Sequence, residues 1–203
     1  MTLVLAFDTS AAHCAVAVMG GETVLVHRTE AMTRGQAERL MPLVQDSLLE
    51  AGVRASDLAA IGVGTGPGNF TGTRIAVAAG RGLALGLGCP VEGVSAIDAY
   101  GAGRDVIVCL PAPRQMVHLG YRGEIVTVAP NAIPPGWGAA VTGPAAGLVA
   151  EQSGRDPLPH PDIAPAIAQI AGKRAAPDRP RPAPVYLRPA DAAPPSDPPP
   201  RIV

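Results

Sequence analysis

One run of eleven residues, Gly64-Thr65-Gly66-Pro67-Gly68-Asn69-Phe70-Thr71-Gly72-Thr73-Arg74, constrains this chain more than any other. The residues ahead of it, 59–64, read as a buried strand, and those behind it, 73–88, read as a helix. A helix that opens on a glycine turn points free backbone N–H groups into that turn, which suits an anion or a tightly docked loop. A P-loop is excluded, because its late glycine must be followed by a lysine that reaches the outer phosphates. Here Gly72 precedes Thr73 and Arg74, and the sole lysine of the chain is Lys173. A dinucleotide fingerprint also fails: the third glycine is out of register, and no acidic residue follows before Glu92. A rigid corner remains open as the alternative, with Pro67 fixing φ and the glycines supplying positive φ.

The chain around this turn is patterned as α/β. Leu3–Phe7 is a continuous apolar run that stops at Asp8, as a buried central strand does. Residues 14–19 and 23–28 form two more β-like runs joined by Gly20-Gly21, a hairpin turn. A helix is expected over 36–51, with Ala37, Leu40, Met41, Val44 and Leu48 on one stripe and Leu43 and Leu49 off it. Pro42 interrupts its hydrogen bonding, and Gly52 stands where a C′ glycine belongs. The helix at 73–88 is unusual. Ala76, Gly80 and Ala84 form one row of small residues, and Ala78, Gly82 and Gly86 form another. Each glycine costs a helix roughly 1 kcal/mol against alanine, so the three weaken it by about 3 kcal/mol. Such a helix survives where close packing on both rows returns the loss, so it is expected to lie between the sheet and a foreign helix pair.

From Arg104 the composition changes. Strands are expected at 106–110, 115–122, 124–129 and 139–142, followed by short helices at 145–152 and 163–172. The chain is proline-dense from Pro157 onward. Three units result: 1–103, a smaller second unit over 104–189, and a flexible tail over 190–203. With net charge −1, the chain carries no basic footprint for unaided nucleic-acid binding. Three widely spaced cysteines without C-x-x-C argue against disulfides and zinc and for a reducing compartment. No leader and no apolar run long enough to span a bilayer is found, so a cytoplasmic, non-membrane protein is expected. His13, His27, His118 and His160 are scattered, and no serine–histidine–acid set, carboxylate pair or metal cluster stands out, so no catalytic or metal residue is assigned.

The string from Gly64 to Arg74 resembles the signature of the TsaB (YeaZ) family, usually G-x-G-P-G-S-F-T-G-x-R. Ala6-Phe7-Asp8-Thr9-Ser10, residues 36–44 and Pro184-Val185-Tyr186-Leu187-Arg188 add to the likeness, which is dense over 1–100. The resemblance implies an actin-like (ribonuclease H-like, ASKHA) two-domain α/β fold with a reduced second domain. It implies a non-catalytic scaffold subunit for N6-threonylcarbamoyladenosine formation at adenosine 37 of tRNA. The catalytic partner would be TsaD, TsaE would join the complex, and ATP and a metal would sit on the partner subunits rather than on this chain. The same helices could instead pair with a second copy, which leaves monomer and homodimer both open for the isolated chain, and tRNA would be met only through the complex.

In that family the two helices form the subunit interface, which should bury about 1,200–2,000 Å². Carried onto this chain, the interface residues are Arg39, Leu40, Met41, Leu43, Leu48, Arg74, Val77, Gly80, Arg81 and Ala84. Gly80→Leu or Leu48→Asp would then spare the fold and abolish co-purification with TsaD. The nucleotide or loop-docking set is Asp8, Thr9, Gly66, Pro67, Gly68 and Asn69. The sequence departs from the family at Asn69, in place of the signature serine, and at Arg34. It departs again at 111–116, where an Asp-Ala-Arg segment is replaced by Pro-Ala-Pro-Arg-Gln-Met. Two other readings stand beside this one: a small kinase or ATPase of the same superfold using Asp8 and the Gly66–Gly68 turn, and a peptidase, for which no nucleophile pair is visible.

Overall fold

The apolar runs and glycine turns assemble into two five-stranded mixed sheets. The computed structural model describes residues 2–138 and 140–187. Arg188 and the 190–203 tail lie outside them. The first sheet holds β1 (Leu3–Asp8), β2 (His13–Gly20), β3 (Thr23–Ala31), β4 (Ala60–Gly64) and β5 (Val91–Val94), in the order β3-β2-β1-β4-β5. β1 pairs antiparallel with β2 and parallel with β4. The second holds β6 (Ile107–Pro111), β7 (Val117–Tyr121), β8 (Glu124–Val128), β9 (Ala140–Thr142) and β10 (Asp156–Pro157), in the order β10-β9-β6-β7-β8. Each half runs an antiparallel meander of three strands and then two parallel additions, so the second half repeats the plan of the first. This duplicated plan is the actin-like one.

The first sheet is buried on both faces, which is why β1, β2 and β4 read as unbroken apolar runs rather than alternations. On one face Leu5, Phe7, Val16, Val18, Ile61 and Val63 pack against α1 (Gln36–Glu50) and α2 (Phe70–Leu87). On the other face Val4, Ala6, Ala15 and Ala17 pack against α5 (Ile163–Arg174). A Cβ on Gly62 would lie 2.8 Å from both Ala171 Cβ and Ile167 Cγ2, so strand and helix touch through backbone there. α5 therefore returns from the second half to complete the first core, which a division at residue 104 does not foresee. α3 (Ala96–Gly101) and α4 (Ala146–Ser153) close the remaining surfaces.

One boundary and one buried face differ from the pattern-based expectation. α2 begins at Phe70, three residues before Thr73, because Asn69 caps it: Gly72 N–H donates to Asn69 Oδ1 at 2.8 Å. The buried stripe of α1 is Gln36, Leu40, Leu43, Val44, Ser47 and Leu48, rotated from the expected one, so Ala37 is exposed and Leu43 is wholly inside. Two polar residues lie on this stripe because local acceptors satisfy them: Ser47 Oγ donates to Leu43 O at 2.7 Å, and Gln36 Nε2 to Met32 O at 3.3 Å.

Candidate functional site

The outer face of α1 and α2 is built by what the inner face excludes. Ala76, Gly80 and Ala84 turn inward onto the sheet, and a side chain on Gly80 would collide with Val63. The second small-residue row, Ala78, Gly82 and Gly86, is exposed, and a Cβ on Gly82 or Gly86 would meet nothing within 4 Å. Leu85, one helical turn along the same face, is 84% exposed, and Leu49 on the neighbouring α1 is 83% exposed. These two are the most exposed large apolar side chains among the described residues. The chain's own fold covers only one of the two rows.

The expected interface set must be redistributed accordingly. Leu40, Leu43, Leu48, Val77, Gly80 and Ala84 lie in the chain's own core, because their helix faces meet the sheet. Gly80→Leu and Leu48→Asp would therefore damage the fold itself. Met41 is half-buried. Arg39 is spent on its own chain, with Nη2 and Nε donating to Glu30 at 2.6 and 2.7 Å and Nη1 reaching Asp46 at 3.4 Å. Arg74 lies over the Phe70 ring, 3.7 Å from its centroid, and donates from Nε to Tyr186 Oη at 2.8 Å. Of the charged residues expected there, Arg81 alone is exposed and unengaged by the described residues. Leu49, Gly82, Leu85 and Gly86 are exposed on these helices and are absent from the expected interface set. The i, i+4 spacing of Gly82 and Gly86 is visible in the sequence, but which row faces inward is set by the sheet.

The glycine turn is filled by a loop of its own chain. Asn69 N–H donates to Ser10 O at 2.6 Å, and Thr9 Oγ1 donates to Gly72 O at 2.6 Å. Side chains on Gly68 or Gly72 would overlap the Ser10 and Thr9 carbonyls. The glycines thus admit the 9–10 backbone, and the Asn69 side chain takes an N–H that an anion would have needed. Of the two readings left open for Thr9, Gly66, Pro67, Gly68 and Asn69, this geometry is loop docking. The described part of the 184–188 motif, Pro184–Leu187, meets the same turn. Val185 N–H donates to Thr65 O at 2.8 Å, and the Tyr186 and Phe70 ring centroids are 5.1 Å apart. The two signature strings, far apart in sequence, are one contact in space.

Asp8 ends β1 and is 1% exposed. Its Oδ1 accepts from Ser10 N–H and Ser10 Oγ, both at 3.0 Å, and from His13 Nε2 at 2.7 Å, which assigns the proton of His13 to Nε2. Its Oδ2 has no partner and sits under Gly64, where a Cβ could not fit. The sequence offered no acid–histidine–serine set, yet the β1–β2 hairpin assembles one. The D-x-S-x-x-H spacing at 8–13 was its only trace. Its wiring is not that of a Ser–His–Asp triad: Ser10 and His13 both donate to the same carboxylate oxygen, so the imidazole is turned to the acid and not to the serine hydroxyl.

His13 lines a cleft of about 510 Å³ between the two sheets, with Gln36, Asn69, Tyr100 and His118 among its other walls. No lysine, arginine or carboxylate is among its lining residues, so it offers a triphosphate neither a cation nor a metal-binding acid. Cys14 and Cys109 are inert for the same reason the core is dry: burial pushes Cys14 up to about 11 and Cys109 up to about 12. The described residues contain no group of three or more side chains suited to hold a metal. No helix among them is long and apolar enough to cross a membrane.

Comparison with known proteins agrees with this architecture. Residues 24–128 match the family model described as TsaD, tRNA N6-adenosine threonylcarbamoyltransferase. The chain is 35% identical over 208 residues to an uncharacterised Mycobacterium tuberculosis protein, covering 96% of this chain and 95% of that one. It is 40% identical over 100 residues to the tRNA threonylcarbamoyladenosine biosynthesis protein TsaB of Escherichia coli, covering 49% of this chain and 43% of that one. Among solved structures, YeaZ from Pseudomonas aeruginosa superposes with a TM-score of 0.70 at 27% identity, covering 92% of this chain and 100% of that one. With a family model matching residues 24–128, a relative 35% identical across 96% of the chain and the YeaZ fold shared at a TM-score of 0.70, this chain belongs to the TsaB (YeaZ) family.

Proposed function

We propose that this chain serves tRNA N6-threonylcarbamoyladenosine biosynthesis as a non-catalytic subunit that holds a TsaD-type catalytic subunit against the outer face of α1 and α2. The observation that carries this reading is the open row Ala78–Gly82–Gly86, together with the exposed Leu85 on α2 and Leu49 on α1. A glycine row costs helix stability and returns nothing to the isolated chain, whereas against a second helix it allows close backbone approach. Covering a leucine that is almost fully exposed gains about 1.5–3 kcal/mol, so the two leucines supply anchors of the size a specific interface needs. The named relatives act in the same modification, and the family model that matches residues 24–128 is that of the transferase itself. The ATP, the metal and the transfer chemistry belong to the partner subunits in this reading, TsaE joins the assembly, and tRNA is reached through the complex. In the partner's absence the same face pairs with a second copy.

The test is co-expression of tagged chain with TsaD from the same cell. Leu85→Asp and Leu49→Asp should each leave circular dichroism and thermal unfolding unchanged while removing TsaD from the eluate. Normal recovery of TsaD with both variants would refute the interface. The kinase or ATPase alternative is less favoured, because the inter-sheet cleft lacks cationic and acidic lining; ATP turnover by the purified chain would revive it.

A further inference from the structure

Two cavities outside the inter-sheet cleft carry arginines, and they differ in how those arginines are used. The first, about 410 Å³ in the second half, includes Arg104, Arg122, Lys173 and Arg174 in its walls. Three of these are engaged. Arg104 donates to the carbonyls of Tyr100, Gly101 and Pro159 and to Thr142 Oγ1. Arg122 pairs with Asp105 at 2.7 Å, and Arg174 with Asp98 at 3.3 Å. The second cavity, about 510 Å³, lies where the C-terminal end of α2 meets the extended segment 176–187. Arg81, Arg179 and Arg181 line it beside Leu85, Cys89 and Pro90, and no carboxylate is among its lining residues.

Here the cations are available. No described residue engages Arg81 or Arg181 by hydrogen bond or ion pair. Arg179 is held in place by a fork to Glu92, 2.8 and 3.1 Å, on a carboxylate that is 3% exposed. The segment that carries Arg179 and Arg181 is itself seated, since Pro182 is buried against Gly93. Two charges act against an anion at this place. The carbonyl end of α2 contributes about half a negative charge, and Asp178 stands beside Arg179 in sequence, outside the lining. Two unengaged guanidiniums exceed both together. A carboxylate has two oxygens and satisfies one guanidinium fork. A phosphate carries three or four oxygens and up to two charges, and so can serve several guanidiniums at once.

We propose that the Arg81–Arg179–Arg181 cavity is a phosphate-binding site, taking the phosphate of a nucleotide or of an RNA backbone. The cavity shares Gly82 and Leu85 with the face proposed to receive TsaD, but its binding of phosphate is read on the isolated full chain, without TsaD, so the two proposals can fail separately. Cys89 lines the same cavity and is half-buried, whereas Cys14 and Cys109 are fully buried, so maleimide labelling of the native chain reports Cys89. Pyrophosphate at constant ionic strength should slow that labelling. Arg81→Gln with Arg181→Gln should raise the half-protecting concentration by about a hundredfold, roughly tenfold for each charge-assisted hydrogen bond removed. Arg179 is left in place so that Glu92 keeps its partner. Protection by ADP or pyrophosphate at lower phosphate concentration than by a short single-stranded RNA identifies a nucleotide site, and the reverse order identifies the RNA backbone. The proposal is overturned if neither protects, if the double variant is protected as well as the parent, or if only an acidic peptide such as polyglutamate protects. Calorimetric titration with pyrophosphate distinguishes parent from double variant in the same way should Cys89 label too slowly.

Discussion

The two small-residue rows of α2 make opposite demands, and a pair of substitutions separates them. A Cβ built at Gly80 would lie 2.2 Å from Val63 Cγ1 and 3.4 Å from Val63 Cβ. Val63 is β-branched, fully buried and fixed in the central strand β4, so it cannot swing away. Overpacking of this kind costs about 1–3 kcal/mol or more, against which alanine returns about 1 kcal/mol of helix propensity. Gly80→Ala should therefore be net destabilising by up to about 2 kcal/mol. Gly82 meets nothing within 4 Å, so Gly82→Ala and Gly82→Leu should each stabilise the isolated chain by about 0.4–1 kcal/mol. For a chain of this size that is a rise of about 1–4 °C in Tm, against a fall of up to about 8 °C for Gly80→Ala. Differential scanning calorimetry reads both. In the same preparations Gly82→Leu should lose TsaD on co-purification, since its side chain stands in the row proposed to receive a helix. The reasoning fails if Gly80→Ala is as stable as Gly82→Ala, or if the stabilised Gly82→Leu variant retains TsaD at parental yield.

Three further outcomes are expected. Asp8→Ala removes the acceptor of three hydrogen bonds in a buried site, and urea unfolding should show a loss of about 3 kcal/mol; a loss below about 1 kcal/mol would show the cluster to be incidental. Cys14 and Cys109 hold their protons when folded up to about 11 and about 12, while the unfolded chain releases them from 9.0 upward. Stability is therefore full below pH 9 and falls as pH rises toward 12, by about 1.4 kcal/mol per thiol at pH 10, and Cys14→Ala with Cys109→Ala should flatten that slope in pH-dependent urea melts. Arg179→Ala leaves Glu92 buried without its cation, so segment 176–187 should loosen, and limited chymotrypsin digestion should cut after Tyr186 sooner than in the parent.

Much of this molecule could be read locally. Unbroken apolar runs identify β1, β2 and β4 because strands buried on both faces have no polar side to alternate with. Gly64–Arg74 announces a tight corner because few other residues permit backbone to approach backbone there. The family likeness rests on that same string and on Pro184–Arg188. What the corner holds was not readable, because its occupant comes from elsewhere: Thr9 bonds Gly72 across 63 positions, and Tyr186 bonds Arg74 across 112.

Sequence alone determined the elements, the corner and the presence of two small-residue rows, since each depends on neighbours within a turn or two of chain. Tertiary structure decided which row is spent on the sheet and which is left open, placed Leu43 inside and Leu85 outside, and gathered Asp8, Ser10 and His13 around one oxygen. The physical reason is that helix periodicity sets the spacing of a face but not its azimuth. The azimuth is chosen by the packing of a distant strand, which no local pattern encodes.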